Sequence, residues 1–428
     1  MKKVGVAILG LGTVGGGTYE ILTKNHDVIK ANQGLDVTVE AVLELNRQRA
    51  LSLGVPEENI YSNIAEVVTH PAVDVVVEVI GGVEPAKTFI LAALSAGKTV
   101  VTANKELIAK HWDEIETIAR EYNSGFYFEA SCVGGVPIIR TLIDGMQANN
   151  ITSLVGIING TTNYILTKMS DEGLEYADVL KEAQKLGYAE ANPTADVEGF
   201  DVAYKLTILS SLAFSKKVHL ENVHREGISQ ISKIDIEYGK QLGYTLKLLA
   251  IGKNSPAGIE ARVHPAFIKN DSPLASVKGS FNAVLLKGDM VDDIMLYGRG
   301  AGALPTGSAI VSDIVYAAKQ TEHYYVPFKN VPGAKSDAKF AGDFESEYYV
   351  RMDVSDECGV LSEITAQFGK YKVSMHSVLQ KDENDKENSA TIIFITHKTS
   401  EKNFMKAIGE IKKLSNVHSV DAIIRVEK

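Results

Sequence analysis

The chain has 428 residues, 45% of them hydrophobic and 23% charged, which is the composition of a globular protein that can bury a core. Its net charge of −10 and its lack of a long apolar run exclude the ordinary signatures of nucleic-acid and membrane proteins. Cys132 and Cys358 are the only cysteines, so a disulfide framework is excluded and a cytoplasmic location is expected.

In the first 130 residues, predicted strands alternate with predicted helices. A strand, a glycine turn and a helix open the chain, and further strands are predicted at 35–44, 72–82 and 98–105 and in "FYFEASCVGG". The stretch "AVDVVVEVIGG" is almost wholly apolar, as in a strand that is buried on both faces. This alternation predicts an α/β domain over residues 1–130, with a doubly wound parallel sheet of the Rossmann type.

Residues 131–322 show the pattern of a second, α+β domain for substrate binding and dimerisation. Residues 176–250 are expected to be mostly helical, and strands are predicted at 257–269 and 281–298. The helix at 302–322 is rich in small residues, and we expect it to pack back on the first domain.

The rest of the chain divides into a predicted linker and a small unit. Residues 323–348 are rich in Pro, Gly, Lys and Asp, which indicates a linker. Residues 349–428 show the order β-α-β-β-α-β, which predicts a ferredoxin-like fold.

A glycine-rich turn follows the first predicted strand and opens a helix. It matches G-x-G-x-x-G and consists of Gly10, Leu11, Gly12, Thr13, Val14 and Gly15. In this context the motif indicates dinucleotide binding, because the glycines admit the pyrophosphate to the backbone and the helix N-terminus favours its negative charge.

The end of the second strand bears on which dinucleotide binds. Glu44 lies where an acidic side chain binds the ribose hydroxyls of NAD. Arg47 and Arg49 follow closely, and either could hold the ribose phosphate of NADP or simply begin a solvated helix. We therefore expect NAD(P), with a preference for NAD.

Asp201 and Lys205 are the only charged residues of a predicted helix that ends at Ser215. On a surface they would form an ordinary i, i+4 ion pair. The helix is apolar on nearly all sides, which indicates that it is buried, and a buried lysine must be paired or have a shifted pKa. Such a lysine is a candidate proton donor for the reduction of a carbonyl group. Glu190 and Asp196 could hold a cationic substrate amine, although Asp196 could equally cap the loop around it.

These stretches together resemble the homoserine dehydrogenase family. The resemblance extends over "GLGTVGGG", "VEVIGG", "VTANKELIA", "FEASCVGGVPI", "GIINGTTNYIL", "GYAE…GFDVAYKLTIL" and "GRGAGALPTGSAIVSDI". It implies that the protein interconverts L-aspartate 4-semialdehyde and L-homoserine with NAD(P)(H), as a step of threonine, methionine and isoleucine biosynthesis.

The resemblance also implies roles for individual residues. Lys205 would be the proton donor and acceptor with Asp201 beside it, and Glu190 would bind the substrate amino group, with Asp196 close by. Lys105, after the fourth strand, would lie near both nicotinamide and substrate, so it is a rival for the proton-donor role.

Further residues follow from the same motifs. The positions expected against the cofactor are Gly81, Thr102, Lys105 and Gly302, and the loop 159–163 is expected to line the substrate pocket. The family binds a monovalent cation, typically sodium. The matching ligands here are Glu129 and the backbone carbonyls of Cys132, Gly134 and Val136.

The small C-terminal unit resembles an ACT domain, an amino-acid-sensing fold. In "DECGVLSEI", Cys358 stands where the usual motif has proline, and Gly359 is retained. A working sensor would give inhibition by threonine, whereas the alternative is a purely structural dimerisation unit. The enzyme is expected to be a homodimer or homotetramer.

Two other functions fit the layout less well. One is another amino-acid or amino-aldehyde oxidoreductase, and the number of matching motifs disfavours it. The other is a non-catalytic amino-acid sensor, in which the acid and lysine residues would have decayed. Glu190, Asp201, Lys205 and Lys105 are all present.

Overall fold

The computed structural model describes residues 1–323, 339–384 and 389–427. The strands of the first domain are β1 Lys2–Leu9, β2 Leu35–Leu43, β3 Ile60–Tyr61, β4 Val75–Glu78, β5 Thr99–Thr102 and β6 Phe126–Tyr127. They pair in parallel in the order β3-β2-β1-β4-β5-β6. Alternate residues of β1 enter two different hydrophobic cores, one on each face of the sheet. The predicted Rossmann-type sheet is therefore confirmed.

Helices connect these strands. They are α1 Thr13–Lys24, α2 His26–Gln33, α3 Arg47–Ser52, α4 Ile64–Val68, α5 Ala86–Ser95 and α6 Lys105–Glu121. Helix α6 begins at Lys105, where the sequence indicated only a loop, because the Asn104 side chain accepts a hydrogen bond from the Leu107 amide at 3.1 Å. His111 interrupts this helix with non-helical dihedral angles.

The second domain combines helices with a mixed sheet. Its helices are α7 Ile138–Arg140, α8 Gly160–Glu172, α9 Tyr176–Lys185, α10 Thr194–Val197, α11 Phe200–Ala213, α12 Lys233–Gln241 and α13 Ala303–Lys319. Its strands are β7 Ile151–Ile157, β8 His224–Arg225, β9 Tyr244–Ser255, β10 Gly258–Lys269, β11 Phe281–Gly288 and β12 Asp292–Arg299. The expectation of helix up to residue 250 was wrong, because β9 starts at Tyr244 and its leucine-rich run is buried between neighbouring strands.

Helix α13 packs against α1 of the first domain. The two backbones touch, because a Cβ atom on Gly17 would lie 2.3 Å from the carbonyl oxygen of Ala303. Gly307 approaches α1 in the same way, at 2.9 Å from the Thr18 amide nitrogen. Gly302, which precedes α13 with φ +120°, is the neighbour of the residue that touches α1.

The elements beyond residue 339 are β13 Glu345–Ser355, α14 Val360–Lys370, β14 Met375–Asn384, β15 Ser389–Thr396, β16 Thr399–Ser400, α15 Glu401–Ile411 and β17 Val417–Glu427. Strands β17-β13-β15-β14 pair in that ferredoxin-like order. Of the predicted linker, 324–338 lies outside the described residues. Its last four residues, 345–348, belong to β13, so the linker prediction was wrong there. Their polar sequence hides a strand whose Tyr348 stacks on Phe404.

This unit is continuous with the second domain. Three residues of β17 pair in parallel with β10, so that one sheet runs in the order β12-β11-β7-β9-β10-β17-β13-β15-β14. Charged pairs reinforce the junction: Arg425 contacts Glu226 at 2.9 Å and Glu401 at 2.6 Å, and Arg351 contacts Asp235 at 2.7 Å. The sequence predicted two units here, whereas the structure joins them through a shared sheet.

Among the described helices, none is both long enough and apolar enough to cross a membrane.

Candidate active site

The glycine turn lies at the carboxyl end of β1 and leads into helix α1. Gly10 has φ +90°, and a Cβ atom on Gly15 would lie 1.9 Å from the carbonyl oxygen of Gly10, so both positions require glycine. At Gly12 and Gly81, no atom lies within 4 Å of the position that a Cβ would take. The turn is thus closed on the sheet side and open above the helix N-terminus, a shape that fits a pyrophosphate.

Glu44 is turned toward this glycine turn. Its carboxylate accepts hydrogen bonds from the amides of Leu11 at 2.8 Å and Asn46 at 2.9 Å. Arg49 donates from Nε to the carbonyl oxygen of Leu11. Arg47 instead forms an exposed ion pair with Glu57 at 2.7 Å. Glu44 and Arg49 therefore lie beside the turn, and Arg47 points to another partner.

Asp201 lies in the first turn of helix α11 and binds two lysines. Its Oδ2 accepts from Lys205 Nζ at 2.6 Å, and its Oδ1 lies 3.4 Å from Lys105 Nζ. Lys205 also donates to the carbonyl oxygen of Ile158 at 2.9 Å. Asp201 and Lys205 are only 6% and 8% exposed, whereas the side chain of Lys105 is 42% exposed. One buried carboxylate thus joins a lysine of the second domain to a lysine at the start of α6.

The charges in this cluster shift its pKa values. Burial opposes ionisation of Asp201, but the positive charges of Lys205 and Lys105 outweigh it and hold the pKa of Asp201 well below its usual range. The charge of Asp201 in turn raises the pKa of Lys105, although burial acts the other way. Asp201 is therefore ionised at neutral pH, in contact with both lysine side chains.

Asn159 connects this cluster to the predicted pocket loop. Its Nδ2 donates to Asp201 Oδ2 at 2.9 Å and to Asp196 Oδ1 at 2.7 Å, while its Oδ1 caps helix α8 at the Thr162 amide. Burial, followed by the charge of Asp201, raises the pKa of Asp196. Asp196 therefore lies one side chain away from the lysines, in contact with the loop 159–163.

Glu190 lies apart from these contacts, in the loop between α9 and α10. Its side chain is exposed, and Gln184 donates to its backbone carbonyl at 3.1 Å. Within the described residues its carboxylate has no hydrogen bond or ion pair. Its role in substrate binding stays a prediction, because no contact among the described residues bears on it.

The predicted cation ligands lie between the two domains. The Glu129 carboxylate accepts from the amides of Ile139 at 2.9 Å and Arg140 at 2.7 Å, at the start of α7. Asp313 of helix α13 accepts from the Glu129 amide at 2.8 Å and from Arg140 at 3.0 Å. Burial, followed by the negative charge of Asp313, raises the pKa of Glu129 to about 7.

The backbone carbonyls of Cys132, Gly134 and Val136 belong to the turn that follows Glu129. Val133 and Gly134 have φ values of +58° and +55°, and the Val136 carbonyl already accepts from the Ile138 amide at 2.8 Å. Among the described residues, no group of three His, Cys, Asp or Glu side chains could hold a metal ion. Oxygen donors of this kind fit a hard monovalent cation, and each Glu129 oxygen keeps a lone pair beyond its amide bond.

Sequence reasoning missed four side chains that the structure places around the site. Asn159 was seen only as part of a loop, although "NGTT" carries the signature of a helix cap. Asp313 and Arg140 come from distant segments, and no local pattern brings them together. Glu78, buried at the end of β4, was hidden within an apolar strand.

Two family models match the chain. A model described as "Homoserine dehydrogenase" matches residues 137–315, and one described as "Homoserine dehydrogenase, NAD binding domain" matches residues 10–129. The second match covers the glycine turn and strands β2 to β6 of the parallel sheet.

Several relatives carry the same description. Homoserine dehydrogenases of Bacillus subtilis and Neisseria gonorrhoeae are 41% and 42% identical, and each alignment covers 100% of this chain and 99% of the relative. A crystal structure of a homoserine dehydrogenase from Thiobacillus denitrificans has a TM-score of 0.94 and 42% identity, over 100% of this chain and 99% of that one. A hyperthermophilic archaeal homoserine dehydrogenase in complex with NADPH has a TM-score of 0.63 and 28% identity, over 75% of this chain and 100% of its own.

Proposed function

The chain belongs to the homoserine dehydrogenase family of NAD(P)-dependent oxidoreductases, and we propose that its reaction takes place where Asp201 joins Lys205 and Lys105. The reaction is the reversible reduction of L-aspartate 4-semialdehyde to L-homoserine, within amino-acid biosynthesis. The observation that carries the proposal is the single buried carboxylate that binds two lysines from two domains.

Lys205 is the proposed proton donor. When bound, the nicotinamide supplies the hydride for the carbonyl carbon. Lys205 Nζ gives its proton to the carbonyl oxygen, which completes the alcohol, and it takes the proton back in the oxidation direction. Among the described residues, Asp201 and the Ile158 carbonyl hold two of its three N–H bonds, so one N–H is left for substrate.

Lys105 has the proposed role of orienting the substrate. It is the more exposed lysine, and it begins helix α6 at the carboxyl end of β5, where ligands of parallel sheets bind. The ion pair with Asp201 keeps it protonated, so it can donate to the substrate oxygen without losing its charge.

The acidic residues have the proposed role of holding the substrate amine. Glu190 is exposed and its charge is uncompensated within the described residues, which suits a ligand ammonium. Asp196 contacts Asn159 beside the cluster, and we propose that it adds a second negative charge for the same ammonium group.

The experiment that tests this function is the initial rate of homoserine-dependent reduction of NAD and, separately, of NADP. Turnover with either cofactor supports the proposal. A folded protein that binds both cofactors but reduces neither in the presence of homoserine would contradict it.

NAD is the proposed preferred cofactor, because Glu44 lies beside the turn where a ribose would bind. We expect a higher kcat/KM with NAD than with NADP. Arg49→Leu should lower kcat/KM for NADP about tenfold more than for NAD, since it removes a cation that contacts the turn. Arg47→Leu is the matched control, because Arg47 is paired with Glu57. Equal losses of kcat/KM with NAD and NADP would indicate that Arg49 only stabilises the glycine turn.

The proposed ligands of a sodium ion are the Glu129 carboxylate and the backbone carbonyls of Cys132, Gly134 and Val136. The ion would fix the turn between the two domains, and it takes no part in the chemistry. We expect sodium chloride to raise both the rate and the Tm relative to choline chloride at equal ionic strength, because the ion binds the folded state. Identical values in the two salts would contradict the site.

Threonine is the proposed effector of the unit 349–428, which we propose to be an ACT domain. Gly359 has φ +98° at the start of helix α14, and no atom lies within 4 Å of its Cβ position, so a ligand can approach the backbone there. We expect threonine to inhibit the enzyme and Gly359→Val to relieve the inhibition. Gly409→Ala, in open space on helix α15, is the control. If threonine leaves the reaction rate unchanged, the unit 349–428 has a structural role instead.

A homodimer or homotetramer is the proposed assembly. Light scattering at several protein concentrations measures it, and a monomer at every concentration would contradict it.

A further inference from the structure

Glu78 is a buried carboxylate for which the proposed reaction has no use. It ends strand β4 and is 0% exposed. One oxygen accepts from the amides of Ile80 at 2.9 Å and Gly81 at 3.4 Å. The other accepts from the Thr102 hydroxyl at 2.7 Å. The side chain therefore ties the loop after β4 to the end of β5.

A chain of hydrogen bonds continues from Thr102 to the start of helix α6. The Thr102 hydroxyl accepts from the Asn104 amide at 3.0 Å. The Asn104 side chain donates to the Gly82 carbonyl at 2.6 Å and accepts from the Leu107 amide at 3.1 Å. Lys105 is the first residue of the helix that Asn104 caps. Glu78 is thus connected to Lys105 through the Thr102 hydroxyl and through Asn104, whose backbone amide binds that hydroxyl.

A carboxylate at this position costs free energy that an apolar side chain would not. Its neighbours in β4 are fully apolar and buried, and burial raises the pKa of Glu78 despite its hydrogen bonds. The carboxylate fixes the relative positions of two loops, because it accepts hydrogen bonds from both at once. Those two loops lie at the carboxyl ends of β4 and β5, where a dinucleotide and its substrate bind in this type of sheet.

We propose that Glu78 is a positioning residue that fixes the turn Ile80–Gly81 for the nicotinamide cofactor and, through Thr102 and Asn104, fixes Lys105 for the substrate. This inference rests on the proposed function, since it assumes that Lys105 orients the substrate. It predicts two separable effects, one on cofactor affinity and one on turnover.

Two variants cut the network at different places. Glu78→Gln keeps the size of the side chain, but its amide cannot accept hydrogen bonds from both loops. We expect it to raise the Kd for NADPH, measured by fluorescence, and to lower kcat. The combined loss in kcat/KM should be about 100-fold. Thr102→Val removes only the hydroxyl, so we expect it to lower kcat with a smaller change in Kd.

The double variant tests whether the two residues act in one chain. If they do, Glu78→Gln combined with Thr102→Val loses little more kcat than Glu78→Gln alone, because the connection is already broken. A loss of kcat equal to the product of the two single losses would show that the hydrogen-bond connection to Lys105 does not exist. A Glu78→Gln enzyme whose Kd and kcat both stay within about twofold of wild type would overturn the whole inference.

Glu116→Gln is the matched control for general destabilisation. Glu116 is also a buried glutamate of the first domain, 2% exposed, and it binds Arg120 on helix α6. We expect a lower Tm with unchanged NADPH affinity and kcat. If Glu116→Gln lost affinity and turnover as Glu78→Gln does, a structural cause would replace the proposed one.

Lys105→Met separates this inference from the proposed function. If that variant keeps both its kcat and its KM for homoserine, the role of Lys105 in orienting the substrate fails. The loss of NADPH affinity in Glu78→Gln would in that event still support the positioning of Ile80–Gly81. If Lys105→Met loses kcat, adding Glu78→Gln to it should leave kcat nearly unchanged.

Discussion

Lys205→Ala is expected to reduce kcat by about 10²- to 10⁴-fold, the range that a positioned acid or base contributes. The amino group is held by Asp201 at 2.6 Å and by the Ile158 carbonyl at 2.9 Å, so an alanine removes the proposed proton donor from a fixed position. The Kd for NADPH should stay near its wild-type value, because the glycine turn belongs to the first domain. Stopped-flow reduction and fluorescence titration measure the two quantities.

Two comparisons make this prediction specific. Added ethylamine should restore part of the kcat of Lys205→Ala, since a free ammonium can enter the space left by the side chain. Lys105→Met should raise the KM for homoserine more than it lowers kcat, as expected of an orienting residue. If Lys205→Ala keeps most of its kcat and Lys105→Met loses it, the two roles have to be exchanged.

Asp201→Asn is expected to reduce kcat/KM about 100-fold and also to destabilise the protein by about 3–5 kcal/mol, the range for breaking a buried ion pair. The asparagine leaves the buried Lys205 without a counter-charge and removes the ion pair of Lys105. If the Nδ2 group of the asparagine faced Lys205, two hydrogen-bond donors would point at each other. Steady-state kinetics and the Tm at pH 7 measure the two losses.

The pH dependence of this destabilisation has a definite sign. The pKa of Asp201 is depressed in the folded state, so its stabilisation is present above about 3.9, the ordinary pKa of an aspartate. The stabilisation is lost as the pH falls from there toward the folded-state pKa. The Tm difference between wild type and Asp201→Asn should therefore be constant from pH 7 to about pH 5 and decrease at lower pH.

Asp313→Asn provides the opposite case. Burial raises the pKa of Asp313, so its contribution to stability is present below its ordinary pKa and is lost as the pH rises through the raised value. The Tm difference for this variant should increase on acidification. The same trend in both variants would indicate that general acid unfolding, and not these individual groups, sets the pH dependence.

Local patterns were sufficient for part of the site. The apolar surroundings of Asp201 and Lys205 predicted a buried pair, and both residues are less than 10% exposed. The spacing of the glycines predicted the turn after β1, because G-x-G-x-x-G in a strand-turn-helix context has one common structural meaning. These features depend on residues that are close together in the sequence.

Other features depend on contacts that no local pattern encodes. Lys105 and Asp201 are far apart in the sequence, and only the packing of α6 against α11 brings them to 3.4 Å. Leucine-rich runs suit helices and buried strands equally, which is why β9 was expected to be helical. The junction between β10 and β17 involves only three paired residues, too few to leave a signature.

That junction has a consequence for how the protein is made. Strand β17 lies between β10 and β13, yet it is the last of the described strands to leave the ribosome. Until it is synthesised, β10 has a bare edge over residues 266–268, and bare edges are sites of aggregation. Vectorial synthesis can therefore complete the Rossmann sheet early, whereas the second sheet stays open between β10 and β13 until β17 has been translated. A ribosome stalled before residue 417 would hold a nascent chain with this edge open, which makes the closing stretch a natural point for chaperone engagement.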